Sequence, residues 1–230
     1  MPSFAAKRSD VLPSLRGKSI RLPNILPIFD HWPCARSPHY EKLVPRVNDR
    51  LDDVVSDRSR IPKLRVCDFS QFGALVWPFA SFDDLFVMTC LTIWLFLWDD
   101  EIDESSGSLE NDFNGAQLYR ATTIAFVEQS TGLRDHGLVQ SELHPFIGSF
   151  ATIGDAIRAR YDEEQKRYFF NEMVIFVEAS EAEQKVKHTD YLWDLETYWH
   201  YRLGTSAVGV FSAMAESVAS IPVWYHEYEC

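Results

Sequence analysis

The chain has 230 residues, of which 46% are apolar and 24% charged. That is the balance of a folded domain and argues against disorder. Asp plus Glu number 34 against 22 Lys plus Arg, a formal net charge of −12. Such a surface repels phosphate backbones, so a general nucleic-acid binder is excluded. A phosphorylated small substrate stays compatible, because metal ions on acidic side chains can hold it. Cys34, Cys67, Cys90 and Cys230 are widely spaced, with no CxxC pairing. This argues against a disulfide scaffold or structural zinc and suits a reduced, cytoplasmic setting. The N-terminal stretch has no apolar segment of the kind a secretory signal needs.

In chain order, Pro2, Pro13, Pro23, Pro27, Pro33 and Pro38 predict an irregular arm over residues 1–38, with residues 39–230 forming the domain. Leu43, Val47, Leu51 and Val54 or Val55 recur at helical spacing, with Pro45 as a possible disturbance. A helix is expected from Phe69 to about Leu75, ending near Trp77-Pro78. Ser81 followed by Asp84 resembles a capping box and opens the apolar run Leu85–Trp98. At 14 residues that run is too short to span a bilayer and reads as a buried helix. Residues 105–114 read as a polar loop, Gln117–Ser130 as a helix and 131–137 as a turn. One long helix is expected from about Pro145 to Glu178, with a possible kink near Gly154. Another is expected from Asp190 to Ser220, ended by Pro222. No period-2 strand stands out, so the expected class is all-α.

The stretch WLFLWDDEIDE holds five acidic residues between Asp99 and Glu104. Asp99 and Asp103 stand four apart, Asp100 and Asp103 three apart, which places them on neighbouring ridges of a helix. Like charges at that spacing repel, and anions at a helix C-terminus oppose its macrodipole, each by roughly 0.3–1 kcal/mol. A divalent cation would remove both penalties. Oxygen ligands with no Cys or His nearby suit Mg²⁺ or Mn²⁺. The other reading is a solvated acidic helix end. An EF-hand is rejected, because Glu104 stands where its tight turn requires Gly.

Further on, Leu195, Trp199, Arg202, Ser206, Gly209 and Ala213 form one helical stripe. Arg202 follows Tyr198, Trp199 and Tyr201, and an Arg among aromatics needs an anion or must snorkel to water. Either a ligand anion or a carboxylate such as Glu196 would serve. Gly204, Thr205 and Ser206 are poor helix-interior residues, so a local break is expected there.

Taken together these motifs resemble the class I terpene synthases, most closely the fungal sesquiterpene synthase type. DDEID at 99–103 is similar to the family's DDxxD metal motif and likewise follows an apolar helix. YRLGTSA at 201–207 resembles the RxxTSG-type segment. RLPNILPIFDHWPCARSPHYEKL at 21–43 and FGALVWPFA at 72–80 are similar to the family's N-terminal pattern and to its helix before the metal helix. The resemblance implies a class I terpenoid synthase helical bundle and a Mg²⁺-dependent lyase that ionises farnesyl diphosphate and cyclises the carbocation. It implies that Asp99, Asp100 and Asp103 bind the metal and that Arg202 senses the diphosphate. Thr205 and Ser206 would occupy the linker and effector positions of the helix break, although Ala207 stands where the family commonly has Gly. Phe96 would line the pocket and steady cations with its ring face, or else be plain core. His144, His188, His200 and His226 read as structural or surface residues.

One departure from the pattern is plain. The family's second metal motif, NDxxSxxxE, has no counterpart: none of Asn24, Asn48, Asn111, Asn114 and Asn171 is followed by Ser at four and Glu at eight. The expectation is therefore a chain truncated at its C-terminus. An inactive relic that binds metal or prenyl diphosphate weakly is the alternative, and a prenyltransferase of related fold, which needs a second aspartate-rich motif, ranks last. Neither a nucleic-acid partner nor a membrane span is expected.

Overall fold

The computed structural model describes residues 3–31, 34–104, 107–135 and 137–219. Trp32-Pro33, residues 105–106 of the polar loop, and the expected helix stop at Pro222, with His226 and Cys230, lie outside the described residues.

Helix α5 (Phe82–Asp103) is the axis of the fold. Ser81 caps its start, accepting a hydrogen bond from the Asp84 N–H at 3.2 Å. Between Asp84 and Asp103 only Phe96 is exposed. A helix apolar on all sides must be surrounded, and helices before and after it in the chain supply the cover. Helix α2 (Tyr40–Val54) buries Leu43, Val47, Leu51 and Val54, the predicted stripe, and continues through Pro45. Helix α3 (Ile61–Val66) follows it, and α4 (Phe69–Val76) packs on both α2 and α5. Helix α6 (Phe113–Ser130) begins four residues earlier than its apolar pattern suggests, because Asp112 caps it by accepting from the Gly115 N–H at 2.9 Å.

The expected single helix over 145–178 is three: α7 (Pro145–Gly148), α8 (Ala151–Arg160) and α9 (Glu163–Lys187). The chain turns at Tyr161 rather than at Gly154. Asp162 and Gln165 form a reciprocal capping box that starts α9 afresh. Gly154 instead allows close packing: a Cβ there would lie 2.5 Å from the Cβ of Ser130. Trp94 on α5 donates its indole N–H to the Phe146 carbonyl at 2.6 Å, and Trp98 donates to the Thr123 hydroxyl at 2.8 Å. Both rings are nearly fully buried, so each adds apolar burial and satisfies its polar edge.

The expected helix over 190–220 is likewise divided. Residues Tyr191–Trp193 are a short strand, β2, followed by α10 (Leu195–Thr205) and α11 (Val208–Ala219). Asp194 caps α10, accepting from the Thr197 N–H at 2.8 Å. The strand's partner is β1 (Phe4–Lys7), which runs into α1 (Arg8–Leu15). The N-terminal arm thus carries regular structure despite its prolines, together with a short 3-10 turn at Leu26–Phe29. The class is all-α with this one two-stranded ribbon. No helix among the described residues is long and apolar enough to cross a membrane.

Helices α10 and α11 both lie against α9. Gly204 permits the approach of α10, since a Cβ there would meet the Ala179 Cβ at 2.6 Å and Ile175 Cγ2 at 3.4 Å. Gly204→Ala should therefore cost about 1–3 kcal/mol as overpacking, read as a lower urea midpoint. Gly137→Ala, with nothing nearer than 3.9 Å, should leave the midpoint unchanged or slightly raised.

Candidate functional site

The acidic cluster at the end of α5 divides between two faces. Asp100 Oδ2 accepts from Arg60 at 3.3 Å, and Glu101 Oε2 lies 4.0 Å from the same guanidinium. Glu101 is buried and also accepts from the Ser108 N–H at 2.8 Å. These two residues fasten the helix end to α3 and to the loop that follows. Asp99 and Asp103, one helical turn apart, face α9 and α10 instead. There they meet Glu183 of α9, whose charge acts on Asp99 together with that of Asp103.

The result is a concentration of negative charge with little compensation. Burial, then the charges of Asp103, Glu183 and Asp100, push the Asp99 carboxyl up to about 7, with Arg202 pulling the other way. Glu183 is raised chiefly by burial and further by Asp103, while Thr205 and Arg202 oppose the shift. Asp100 is also raised, mainly by burial and against the pull of Arg60. Lys187 of α9 partly answers the helix end: its ammonium donates to the Asp103 carbonyl oxygen and sits 3.3 Å from Glu110 Oε1. A cation thereby caps the negative end of the macrodipole from a neighbouring helix.

Arg202 stands in the last turn of α10, just ahead of the break between α10 and α11. Ala207 sits at φ +54°, in the left-handed region where an L-residue pays roughly 1–2 kcal/mol. That residue redirects the chain, as the weak Gly-Thr-Ser segment predicted. Arg202 is exposed, so it is not an arginine buried among rings; Tyr201 stacks on Trp193 at 4.8 Å, and Tyr198 meets Trp199. Its guanidinium donates to the Thr205 hydroxyl at 3.4 Å and lies 4.0 Å from Glu183 Oε1. Thr205 in turn donates to Glu183 Oε1 at 2.9 Å. The carboxylate facing Arg202 is thus Glu183 rather than Glu196. Ser206 donates to the Leu203 carbonyl at 2.9 Å.

A cleft of about 640 Å³ opens here, with Arg8, Asp103, Glu183, Lys187, Trp193 and Arg202 in its wall. Phe96 is 51% exposed, and its ring packs edge-on against Phe69 at 5.5 Å. It is therefore not core, and it is not part of the cleft wall. The cleft wall holds Asp103 and Arg202; Thr205 joins them through Glu183, Asp99 lies outside the wall within the field of these charges, and Asp100 is held by Arg60.

Two contributors escape a sequence reading. Glu183 lies in an acidic, ordinary-looking stretch of α9, and only the packing of α10 brings Thr205 to it. Arg120 is nearly fully buried on α6 and donates to Ser180 Oγ at 3.0 Å, the Ser180 carbonyl at 3.2 Å and Gln184 Oε1 at 2.9 Å. Burial lowers its pKa, while Glu181, Asp103 and Asp99 act to raise it. Among the described residues no group of three His, Cys, Asp or Glu side chains is placed to hold a metal ion. The donors nevertheless fit a hard divalent cation: carboxylate oxygens with excess negative charge at a helix C-terminus.

A sequence profile described as terpene synthase family 2, C-terminal metal binding, matches residues 90–230. The chain is 29% identical over 214 residues to the sesquiterpene cyclase hepA of Aspergillus oryzae, covering 89% of this chain and 58% of that protein. It is 28% identical over 152 residues to the (+)-eremophilene synthase of Gibberella fujikuroi, covering 65% of this chain and 40% of that one. The matched region thus spans about half the length of these relatives. Among solved structures, the linalool/nerolidol synthase of Streptomyces clavuligerus superposes with a TM-score of 0.70 at 19% identity, covering 86% of this chain and 64% of that one. That enzyme has also been solved in complex with 2-fluorogeranyl diphosphate. The germacradien-4-ol synthase of Streptomyces citricolor gives 0.68 at 20% identity, with 90% and 64% covered. At these identities the structural likeness shows the class I terpene synthase fold alone.

The Asp99 environment predicts a pH dependence. An unfolded Asp ionises near 3.8, whereas folded Asp99 keeps its proton to about 7. Between these values the folded state binds the extra proton, so in the absence of divalent cations this group makes stability fall as pH rises from about 4 to about 7. The loss is on the order of a few kcal/mol. Urea unfolding in chelator from pH 5 to 8 should show Asp99→Asn gaining stability over the parent as pH rises. Parallel curves would refute the assignment.

Proposed function

Because the chain belongs to the terpene synthase family, we propose that it functions as a Mg²⁺-dependent sesquiterpene cyclase that ionises farnesyl diphosphate and cyclises the cation. The observation that carries this reading is the cleft that Asp103 and Arg202 line together, with Asp99 one helical turn back along α5 and within the field of both. Asp99 and Asp103 would hold the metal, with Asp100 available only if Arg60 releases it. When bound, the ion supplies positive charge that stabilises a departing diphosphate.

The chain's own residues do the rest. Arg202 is exposed in the cleft and can turn its paired N–H groups from Thr205 toward phosphate oxygens. Thr205, tied to Glu183, holds the end of α10 in register with α9. Ser206 and Ala207 mark the break that a bound anion could tighten. The allylic C–O bond breaks with its electron pair remaining on the diphosphate, a distal double bond closes the ring, and proton loss ends the sequence. Phe96 lies on the same helix as the metal ligands but outside the cleft wall, so it takes no cation-steadying role in this reading. Dry apolar walls are required throughout, because water quenches the cation. The sesquiterpene cyclase among the relatives supports the choice of a farnesyl substrate. A cytoplasmic location goes with the same reading.

Calorimetric titration of the chain with inorganic pyrophosphate should show binding that depends on Mg²⁺. Asp99→Asn should abolish it. Arg202→Lys, which keeps the charge but loses the fork, should weaken it by about tenfold. Incubation with farnesyl diphosphate and Mg²⁺, with products read by gas chromatography–mass spectrometry, tests turnover. Cyclic hydrocarbon confirms the cyclase. Binding without product makes this chain the weak-binding relic, and no binding at all removes the reading.

A further inference from the structure

The N-terminal strand runs beside the cleft and delivers Arg8 to its wall, and its attachment is unusual. It is held to the α9–α10 connection from a distance of about 180 residues in sequence, as the partners below show. β1 pairs antiparallel with β2: Phe4 faces Trp193, Ala6 faces Leu192 and Lys7 faces Tyr191, with an irregularity between Phe4 and Ala6. Beyond the ribbon, the Arg8 N–H donates to the Asp190 carbonyl. Asp190 then grips Ser9 twice, accepting from its N–H at 2.8 Å and its hydroxyl at 2.6 Å. At the other end the Ser3 N–H donates to the Thr197 hydroxyl at 3.1 Å, and the Asp194 N–H donates to the Ser3 carbonyl at 3.1 Å.

These bonds fix the register of the strap, and the register decides where Arg8 points. Its side chain is half-buried, and one N–H donates to the Lys187 carbonyl at 3.3 Å. That places the guanidinium in the wall of the cleft that also holds Lys187, Arg202, Asp103 and Glu183. In a chain of net charge −12, this wall carries three cations against two carboxylates. No carboxylate is within ion-pair distance of Arg8 among the described residues, whereas Lys187 has Glu110 and Arg202 has Glu183. A guanidinium carries five N–H donors; the single bond to a carbonyl leaves most of them open at the cleft, and Asp190, whose carboxylate is turned to Ser9, shares the field of Arg8 without pairing with it.

We propose that Arg8, positioned by the β1–β2 strap, is a further binding residue for the substrate's diphosphate, acting from the same cleft wall that Arg202 lines. This rests on the reading of the cleft as a diphosphate site. Arg202 approaches the anion from the helix break and Arg8 from the chain's other end, so binding the anion also closes the strap. The polar bonds of the strap are exposed and individually weak. An anion bridging Arg8 and Arg202 therefore adds a substantial part of what holds the strap down.

The test uses the full 230-residue chain, inorganic pyrophosphate and Mg²⁺. By calorimetry Arg8→Gln should bind about tenfold more weakly than the parent. Lys7→Gln removes a neighbouring charge on the strap that does not line the cleft, and should bind as the parent does. Asp190→Ala frees Ser9 and should reproduce part of the Arg8→Gln loss. Hydrogen exchange gives a second readout: pyrophosphate should slow the amides of residues 4–9 in the parent and not in Arg8→Gln. If the parent binds and Arg202→Lys weakens binding while Arg8→Gln does not, this inference falls and the functional reading stands. An equal loss in Lys7→Gln, or no slowing of the strap amides, also overturns it. If the parent binds no pyrophosphate, the functional reading fails, and the inference with it.

Discussion

The structure is organised around one electrostatic problem: an apolar helix, buried on nearly every side, ends in a run of carboxylates. The core requires α5 to pass through the middle of the domain, and its C-terminus therefore emerges among neighbouring elements. Anions there repel one another and oppose the helix dipole. Four cations from four elements address the problem, and each does so differently. Arg60 pairs with Asp100. Lys187 takes the Asp103 carbonyl. Arg120 is buried on α6 with hydroxyl, carbonyl and amide partners, within the field of Asp99 and Asp103. Arg202 stands across the cleft near Glu183. Charge is left over at Asp99, whose carboxyl is held up near 7. That residue of uncompensated charge is what distinguishes the site from a solvated helix end.

The second half of the site depends on an interruption. A continuous helix over 195–219 would carry Arg202 along a single stripe, with its neighbours determined by the helical period. The left-handed Ala207 ends α10 two residues after Thr205 and turns α11 away. Thr205 can then reach Glu183, and its hydroxyl links the arginine to α9. Gly204 supports this from the other side by letting the two backbones approach. Arg202 and Thr205 stand one turn apart inside α10, so the seating of α10 on α9, which Gly204 allows, is what sets the guanidinium beside Glu183.

Fastening at the periphery follows the same logic. The ribbon of β1 and β2 and the double grip of Asp190 on Ser9 are exposed polar contacts, which contribute little individually. Their effect is geometric: they fix which residue of the N-terminal arm faces the cleft. Asp190 is held below the ordinary carboxylate range by its two bonds from Ser9, so the grip persists over the neutral pH range.

The sequence by itself determined the all-helical class, the buried character of Leu85–Trp98, the stripe of α2 and the weak point at 204–206. These follow from periodicity, from local capping chemistry and from the conformational preferences of Gly, Thr and Ser, all of which act over a few residues. Helix boundaries fared less well at Tyr161 and at Tyr191–Trp193, where a capping box and a strand pairing 180 residues away override the local pattern. Asp99, Asp103 and Arg202 stood out as candidates because acidic residues after an apolar helix and an arginine beside a helix breaker are chemically conspicuous. Only the tertiary structure decided that Asp100 turns to Arg60, that Glu183 faces Arg202, that Phe96 is exposed and that Arg8 reaches the cleft. Each of these is a contact between residues distant in sequence. Its geometry is set by how helices and the N-terminal strand pack, which no local pattern encodes.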